Sequence, residues 1–150
     1  MAGTFTSLQF HLVFSTHNWE PHITPDLQPR LYEYMGGIIR GKGGVLYEIG
    51  GTADHVHLLI RWRADEALAD LLRDLKSHSS LWVHQTFPHL CNFAWQSGYG
   101  AFTVSQSQSD KVKGYIRKQA EHHRKKTFKE ELVEFLKAHR IEYNEKYIWA

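Results

Sequence analysis

At 150 residues, 42% hydrophobic and 23% charged, the chain has the make-up of an ordinary globular protein and is most simply one domain spanning 1–150. A net charge of +2 and a pI near 8.7 permit a nucleic-acid partner without demanding one. Cys91 is the single cysteine, which excludes an intrachain disulfide and any multi-cysteine zinc site. The lack of a long apolar run or signal pattern leads us to expect a cytoplasmic protein with no membrane partner.

Thr4 to Thr16 carries Phe5, Leu8, Phe10, Leu12 and Phe14 in near alternation, which predicts a long first strand with His11 on its polar-facing side. Thr24-Pro25-Asp26 then opens a helix, in which Leu27, Leu31, Tyr34, Met35 and Ile38 recur at helical spacing as far as Gly41-Lys42-Gly43-Gly44. Pro29 is tolerated because it falls in the first turn. Gly36, Gly41 and Lys42 approach the pattern of a phosphate-binding loop. However, Gly43 stands where Ser or Thr is needed, and the segment leaves a helix for a strand, so no nucleotide cofactor is expected.

Val45 to Gly51 reads as a second strand, turning at Gly50-Gly51 into a third, Asp54-His55-Val56-His57-Leu58-Leu59-Ile60. Alternation puts His55 and His57 on one face, roughly 6.6 Å apart along the strand, a good geometry for gripping one metal ion. With eleven histidines in the chain, a chance pair on a half-exposed strand accounts for them equally well. From Asp65, Leu68, Leu71, Leu72, Leu75 and Trp82 predict an amphipathic helix stopped before Pro88, with His78 and His84 at the surface or the core edge. Phe93 to Ser105, aromatic and broken by Gly98 and Gly100, predicts a strand with a bend or bulge. The order strand, helix, strand, strand, helix, strand predicts a ferredoxin-like α+β fold, a split βαβ antiparallel sheet with helices on one face. Val56, Leu58 and Ile60 need the covered face, so His55 and His57 look out of the open one.

Ser109 is positioned to cap a helix from Asp110 to His123, with Val112, Tyr115, Ile116 and Gln119 on one side. Lys111, Lys113, Arg117, Lys118, Arg124, Lys125 and Lys126 make this the most basic stretch of the chain. Such a helix suits a phosphodiester, which makes Lys111, Lys113, Arg117 and Lys118 candidate DNA-binding residues. A core tyrosine among solvated lysines explains the same pattern. Thr127-Phe128-Lys129-Glu130 has the form of a capping box opening a last helix with Leu132, Phe135 and Leu136 on its apolar face, expected to pack without carrying chemistry.

His55-Val56-His57 resembles the His-hydrophobic-His motif of HUH-type single-strand nucleases, and Tyr115-Ile116-Arg117-Lys118-Gln119 resembles the tyrosine helix of their single-tyrosine transposase branch, the insertion sequence 200/605 family. Phe10 to Thr16, Trp95-Gln96, Gly98 to Phe102, His122-His123, Thr127-Phe128 and Ile141-Glu142-Tyr143 extend the resemblance over nearly the whole chain, with a catalytic core at about 4–126. Thr52-Ala53 departs from the family, where a proline is frequent, and is expected to alter the turn alone.

The resemblance implies a DNA transposase that cleaves and rejoins single-stranded DNA at hairpin-flanked ends through a 5′-phosphotyrosine. Tyr115 would be the nucleophile and His55, His57 and Gln119 the ligands of a divalent cofactor, Mg2+ or Mn2+. Imidazoles on their own prefer zinc, nickel or manganese. A phenol with a pKa of about 10 costs about 4 kcal/mol to ionise at neutral pH, which such an ion must help to offset. The resemblance also implies a homodimer in which Tyr115 of one protomer serves the histidines of the other, and an open sheet face with little chain left to cover it points the same way. Three other readings compete. They are a domesticated relative acting on chromosomal repeated palindromes, a non-catalytic single-strand binder stacking bases on Tyr99 and Phe102, and a histidine-rich metal binder using His78, His84, His89, His122 and His123.

Overall fold

A computed structural model describes residues 3–123, 125–146 and 148. The apolar alternation builds β1 (Gln9–Ser15), β2 (Val45–Gly51), β3 (His55–Arg61) and β4 (Gly100–Val104), while the two amphipathic stretches form α1 (Leu27–Gly41) and α2 (Leu68–Thr86). The strands make one antiparallel sheet in the order β2-β3-β1-β4, the α+β ferredoxin-like arrangement expected from the element order. Leu12, Phe14, Val56, Leu58 and Ile60 meet Leu27, Leu31, Met35, Ile39, Leu71, Leu72, Leu75 and Val83 in one core, so α1 and α2 cover a single face. Because side chains alternate along β3, burying Val56 and Leu58 there forces His55 and His57 to the other side. Lys42, the lysine of the near phosphate-loop pattern, is instead paired with Asp74 at 2.7 Å and Glu66 at 3.4 Å.

The sheet is shorter at two places than the alternation predicts. Phe5 is 93% exposed and has no core to face, and β1 begins only at Gln9. Between Phe93 and Tyr99 the chain pairs with β1's end through a single bridge, Thr16 to Trp95, where Trp95 packs edge-on against Phe14 and Phe93 edge-on against Trp95. Among the described residues, no helix is long and apolar enough to cross a membrane.

The C-terminal third closes over the second face. The helix expected from Asp110 to His123 is two helices, α3 (Ser109–Arg117) and α4 (Gln119–His122), broken at Lys118 with φ −99° and ψ 20°. Ser109 is the first helical residue and not the cap, which falls at Gln108 after a 3-10 turn over Gln106–Gln108. α5 (Phe128–Ala138) starts with the predicted capping box, in which Thr127 and Glu130 exchange hydrogen bonds. It lays Phe128, Leu132 and Leu136 on Val13 and Phe102. The face that argued for a dimer is therefore covered by the chain's own helices. Arg124 lies outside the described residues.

Candidate active site

The two β3 histidines are fully buried under this second layer, and each is fixed by a partner on Nδ1. His55 Nδ1 lies 2.7 Å from Asp54 Oδ1 and 3.0 Å from the Thr52 hydroxyl, which itself bonds Asp54. With Nδ1–H donated to that carboxylate, Nε2 turns inward. His57 Nδ1 lies 2.7 Å from Nε2 of His11 on β1, which points its Nε2 inward as well. His11 thus takes the side its alternation assigned but is buried there, 3% exposed, and serves as the orienting partner of His57. Two imidazoles whose outer nitrogens are engaged and whose inner nitrogens converge are arranged as a candidate pair of metal ligands, with outer partners in place.

Tyr115 and Gln119 reach the same centre from α3 and α4. The approach depends on Gly50 in β2, where a Cβ would collide with the backbone carbonyl of Ile116, so only glycine lets α3 lie this close to the sheet. The break at Lys118 then drops Gln119 into the interior, 1% exposed, with its Oε1 2.9 Å from His55 Nε2. The Tyr115 ring stacks on His122 at 4.5 Å and stands 5.9 Å from the His57 ring of its own chain. Nucleophile candidate and histidine pair are thus assembled within one chain.

A residue without a predicted role occupies the middle. Glu131 of α5, 1% exposed, accepts from His57 Nε2 at 2.9 Å and His123 Nε2 at 3.2 Å on Oε1. Its Oε2 takes Gln119 Nε2 at 3.1 Å and the Tyr115 hydroxyl. The last helix was expected to pack without chemistry, and it also places Glu131 at the centre of the cluster. Its sequence signal is an acid at the i+3 position of an apolar i, i+4, i+7 stripe, Phe128, Leu132 and Phe135, where a solvated carboxylate has no place. His123 has a signal too, standing four residues after Gln119, as Gln119 stands four after Tyr115. Among the described residues, His55, His57, His123 and Glu131 are the group whose ligand atoms converge for a metal ion. His78, His84 and His89 lie elsewhere and exposed.

Burial dominates the electrostatics. Desolvation pulls His57 down to about 4 in spite of Glu131, and pulls His11 down to about 3 with help from His57. Burial alone would raise Glu131, but hydrogen bonds from His123 and His57 outweigh it and hold the carboxyl well below its ordinary value. Tyr115 is pushed well above an ordinary phenol, first by burial and then by its bond to Glu131. A polar cleft of about 520 Å³, lined by Tyr115, Glu121, His122, Lys125, Lys126 and Glu134, opens beside the tyrosine.

Of the candidate DNA-binding residues, Lys111 and Lys118 are exposed, Arg117 is tied to Glu48 at 2.9 Å, and Lys113 stands over the Tyr47 ring, 3.8 Å from Asp110. Phe102 cannot serve as a stacking platform for bases, because it is 3% exposed and stacked under Phe135 at 5.4 Å, whereas Tyr99 is 42% exposed.

A ferredoxin-like sheet that sets a histidine pair against a tyrosine helix is the arrangement the sequence motifs resemble. The chain belongs to the family of IS200-like transposases, whose model matches residues 4–119. It is 23% identical over 122 residues to the ISDra2 transposase TnpA of Deinococcus radiodurans, covering 78% of this chain and 87% of that protein. A crystal structure of a candidate transposase from the same organism superposes with a TM-score of 0.64 at 23% identity, over 79% of this chain and 95% of the other. A REP-associated tyrosine transposase bound to a REP hairpin is also similar in fold, with a TM-score of 0.60 at 13% identity over 82% and 72% of the two chains.

Proposed function

We propose that this chain cuts and rejoins single-stranded DNA at hairpin-flanked ends, with Tyr115 as nucleophile and a divalent cation on His55 and His57, supported by Gln119. The observation that carries the reading is convergence: the Tyr115 hydroxyl and the inward nitrogens of both histidines meet at the two oxygens of one buried carboxylate. In the forward step the tyrosine oxygen forms a bond to phosphorus, the bond to the 3′-oxygen breaks, the phenolic proton leaves and the departing oxygen gains one. Rejoining is the reverse, with no nucleotide consumed.

Each residue has a share in this. Asp54 with Thr52, and His11, hold the imidazoles in one tautomer and orientation. Glu131 aims the tyrosine hydroxyl while keeping it protonated, since its negative charge opposes a phenolate. Phe128, stacked on His55 at 4.5 Å, and Phe135, edge-on to Tyr115 at 5.7 Å, keep bulk water out. The cation, Mg2+ or Mn2+ by family resemblance, supplies charge that offsets Glu131 and stabilises the developing negative charge at the phosphate and the leaving oxygen.

DNA is the partner, reached through the cleft beside Tyr115 and gripped by Lys111, Lys113, Arg117 and Lys118. Two copies form a homodimer in the cytoplasm, associated with the nucleoid when on DNA, and each keeps its own tyrosine. A labelled hairpin with a single-stranded flank tests the reading. Metal-dependent nicking of the flank with binding that weakens steeply in salt is expected, and equal nicking of blunt duplex would overturn it.

A further inference from the structure

We propose that His123 and Glu131 complete, with His55 and His57, a three-histidine, one-carboxylate site for a first-row transition cation. The inference rests on the cation assignment above and adds two ligands, one from the end of α4 and one from α5. Glu131 Oε1 lies 2.9 Å from His57 Nε2, 3.2 Å from His123 Nε2 and 3.7 Å from His55 Nε2, and all four ligand atoms fall within 4.8 Å of one another. A four-coordinate ion with bonds of about 2.0–2.1 Å separates its ligand atoms by about 3.3 Å. The separations to Oε1 bracket that value.

Hydrogen bonding alone leaves the cluster in conflict. Asp54 claims the Nδ1–H of His55, so a neutral His55 presents a lone pair at Nε2, and the Gln119 atom 2.9 Å away is an oxygen. Turning the Gln119 amide over would satisfy His55 but set the oxygen against Glu131 Oε2, 3.1 Å away. With one proton on His55, either orientation of the amide sets two buried acceptors face to face, which is costly at sites exposed by 0% and 1%. A cation among the three imidazoles and the carboxylate removes the conflict, because it takes the lone pairs that lack a donor. Gln119 would then hold Glu131 through Oε2, the oxygen that also accepts from the Tyr115 hydroxyl.

The surroundings fit such a site. Outer partners are already present for His55 in Asp54 and for His57 in His11, the aromatic rings of Phe128 and Phe135 exclude water, and His123, 11% exposed, leaves an entry side. Three imidazoles with one carboxylate favour Mn2+ through Zn2+ over Mg2+, which prefers oxygen ligands and keeps its waters.

The test is metal affinity, read without DNA. Wild-type protein, Glu131→Gln, His123→Asn and His55→Ala are titrated with Zn2+ against a chromophoric chelator and with Co2+ followed by visible absorption, and far-UV circular dichroism checks each fold. Wild type is expected to bind one Zn2+ per chain, undisturbed by a large excess of Mg2+, and to give the intense bands of four-coordinate Co2+. Outer partners of a metal site are worth about 10–100-fold in affinity, so Glu131→Gln and His123→Asn, as direct ligands, should each lose at least about tenfold and the intense bands. Wild-type affinity in either variant overturns the four-ligand site and leaves the pair His55 and His57 standing. Wild-type affinity in His55→Ala removes both readings. Glu131→Gln keeps the shape of the side chain, so it decides the matter even if His123→Asn fails to fold.

Discussion

Gly50→Ala asks whether the tyrosine is placed by the close approach of α3 to the sheet. A methyl group at that position meets the carbonyl oxygen of Ile116 and, at 3.0 Å, its Cγ2, so the helix backbone itself must move. Relieved of that contact, a glycine-to-alanine change would stabilise the protein by about 0.4–1 kcal/mol through the unfolded chain. Overpacking against backbone reverses the sign, with a net cost of about 1–3 kcal/mol. At 150 residues each kcal/mol shifts Tm by about 2–4 °C, so a fall of roughly 2–12 °C is expected. Because the displaced helix carries Tyr115, cleavage should fall further than stability does, on the order of 100-fold for a displacement of about 1 Å. Gly114 is the control on the same helix, since nothing lies within 4 Å of its added Cβ. Gly114→Ala should raise stability by about 0.8–1 kcal/mol and leave cleavage near wild type. Thermal denaturation with single-turnover cleavage of a labelled hairpin reads both effects. A Gly50→Ala protein that melts higher than wild type and cuts normally would show that the close approach of α3 to β2 does not place Tyr115.

His55→Ala and His57→Ala should abolish metal-dependent cleavage with the fold retained, Gln119→Ala should be milder, and a chelator should silence the wild type; activity surviving the chelator would rule out the cation. Metal-free protein should lose stability on acidification. His57, pulled down to about 4, withdraws its contribution as pH falls from 6.5, and Glu131, held below its ordinary 4.5, withdraws its own at lower pH. His123, raised by Glu131 against the pull of burial, works in the opposite sense, giving stability below 6.5 that fades as pH rises through its folded value. Melting in chelator between pH 7 and pH 4 should therefore fall; a flat wild-type profile would contradict the network. Mixing His57→Ala with Tyr115→Phe protein should not restore cleavage, because each site is built within one chain, whereas recovery on mixing would show tyrosines exchanged between protomers.

Much of this molecule is legible in its sequence because alternation and helical spacing report burial on the α1 and α2 side. Val56, Leu58 and Ile60 declare the core face, and that alone assigns His55 and His57 to the other. The second layer is harder to read. Nothing in the spacing of Tyr115 and Gln119 announces the break at Lys118, which arises where the chain follows the sheet and turns into it. Phe93 and Trp95 alternate like strand residues yet leave the strand, since Trp95 packs on Phe14 and Phe93 on Trp95. Glu131 hides behind a strong local pattern: Thr127 to Phe135 is so complete a capped amphipathic helix that an acid on its buried side reads as noise. It acquires meaning only when α5 folds back over β1 and β3, a contact across more than seventy residues to His57 that no local rule contains.

The proposed chemistry stands or falls on Tyr115 as the nucleophile. Tyr115→Phe removes one oxygen and keeps the ring stacked on His122. If the tyrosine only packs, the loss is limited to a hydrogen bond to a charged group, about 1.5–3 kcal/mol of stability, and cleavage continues. Wild-type protein is incubated with end-labelled hairpin DNA and a divalent ion, denatured, digested and mapped by mass spectrometry. A 5′-phosphotyrosyl nucleotide is expected on the peptide containing Tyr115, and no adduct at all in Tyr115→Phe. An adduct on Tyr99 or another tyrosine, or a phenylalanine variant that still cleaves, would contradict it.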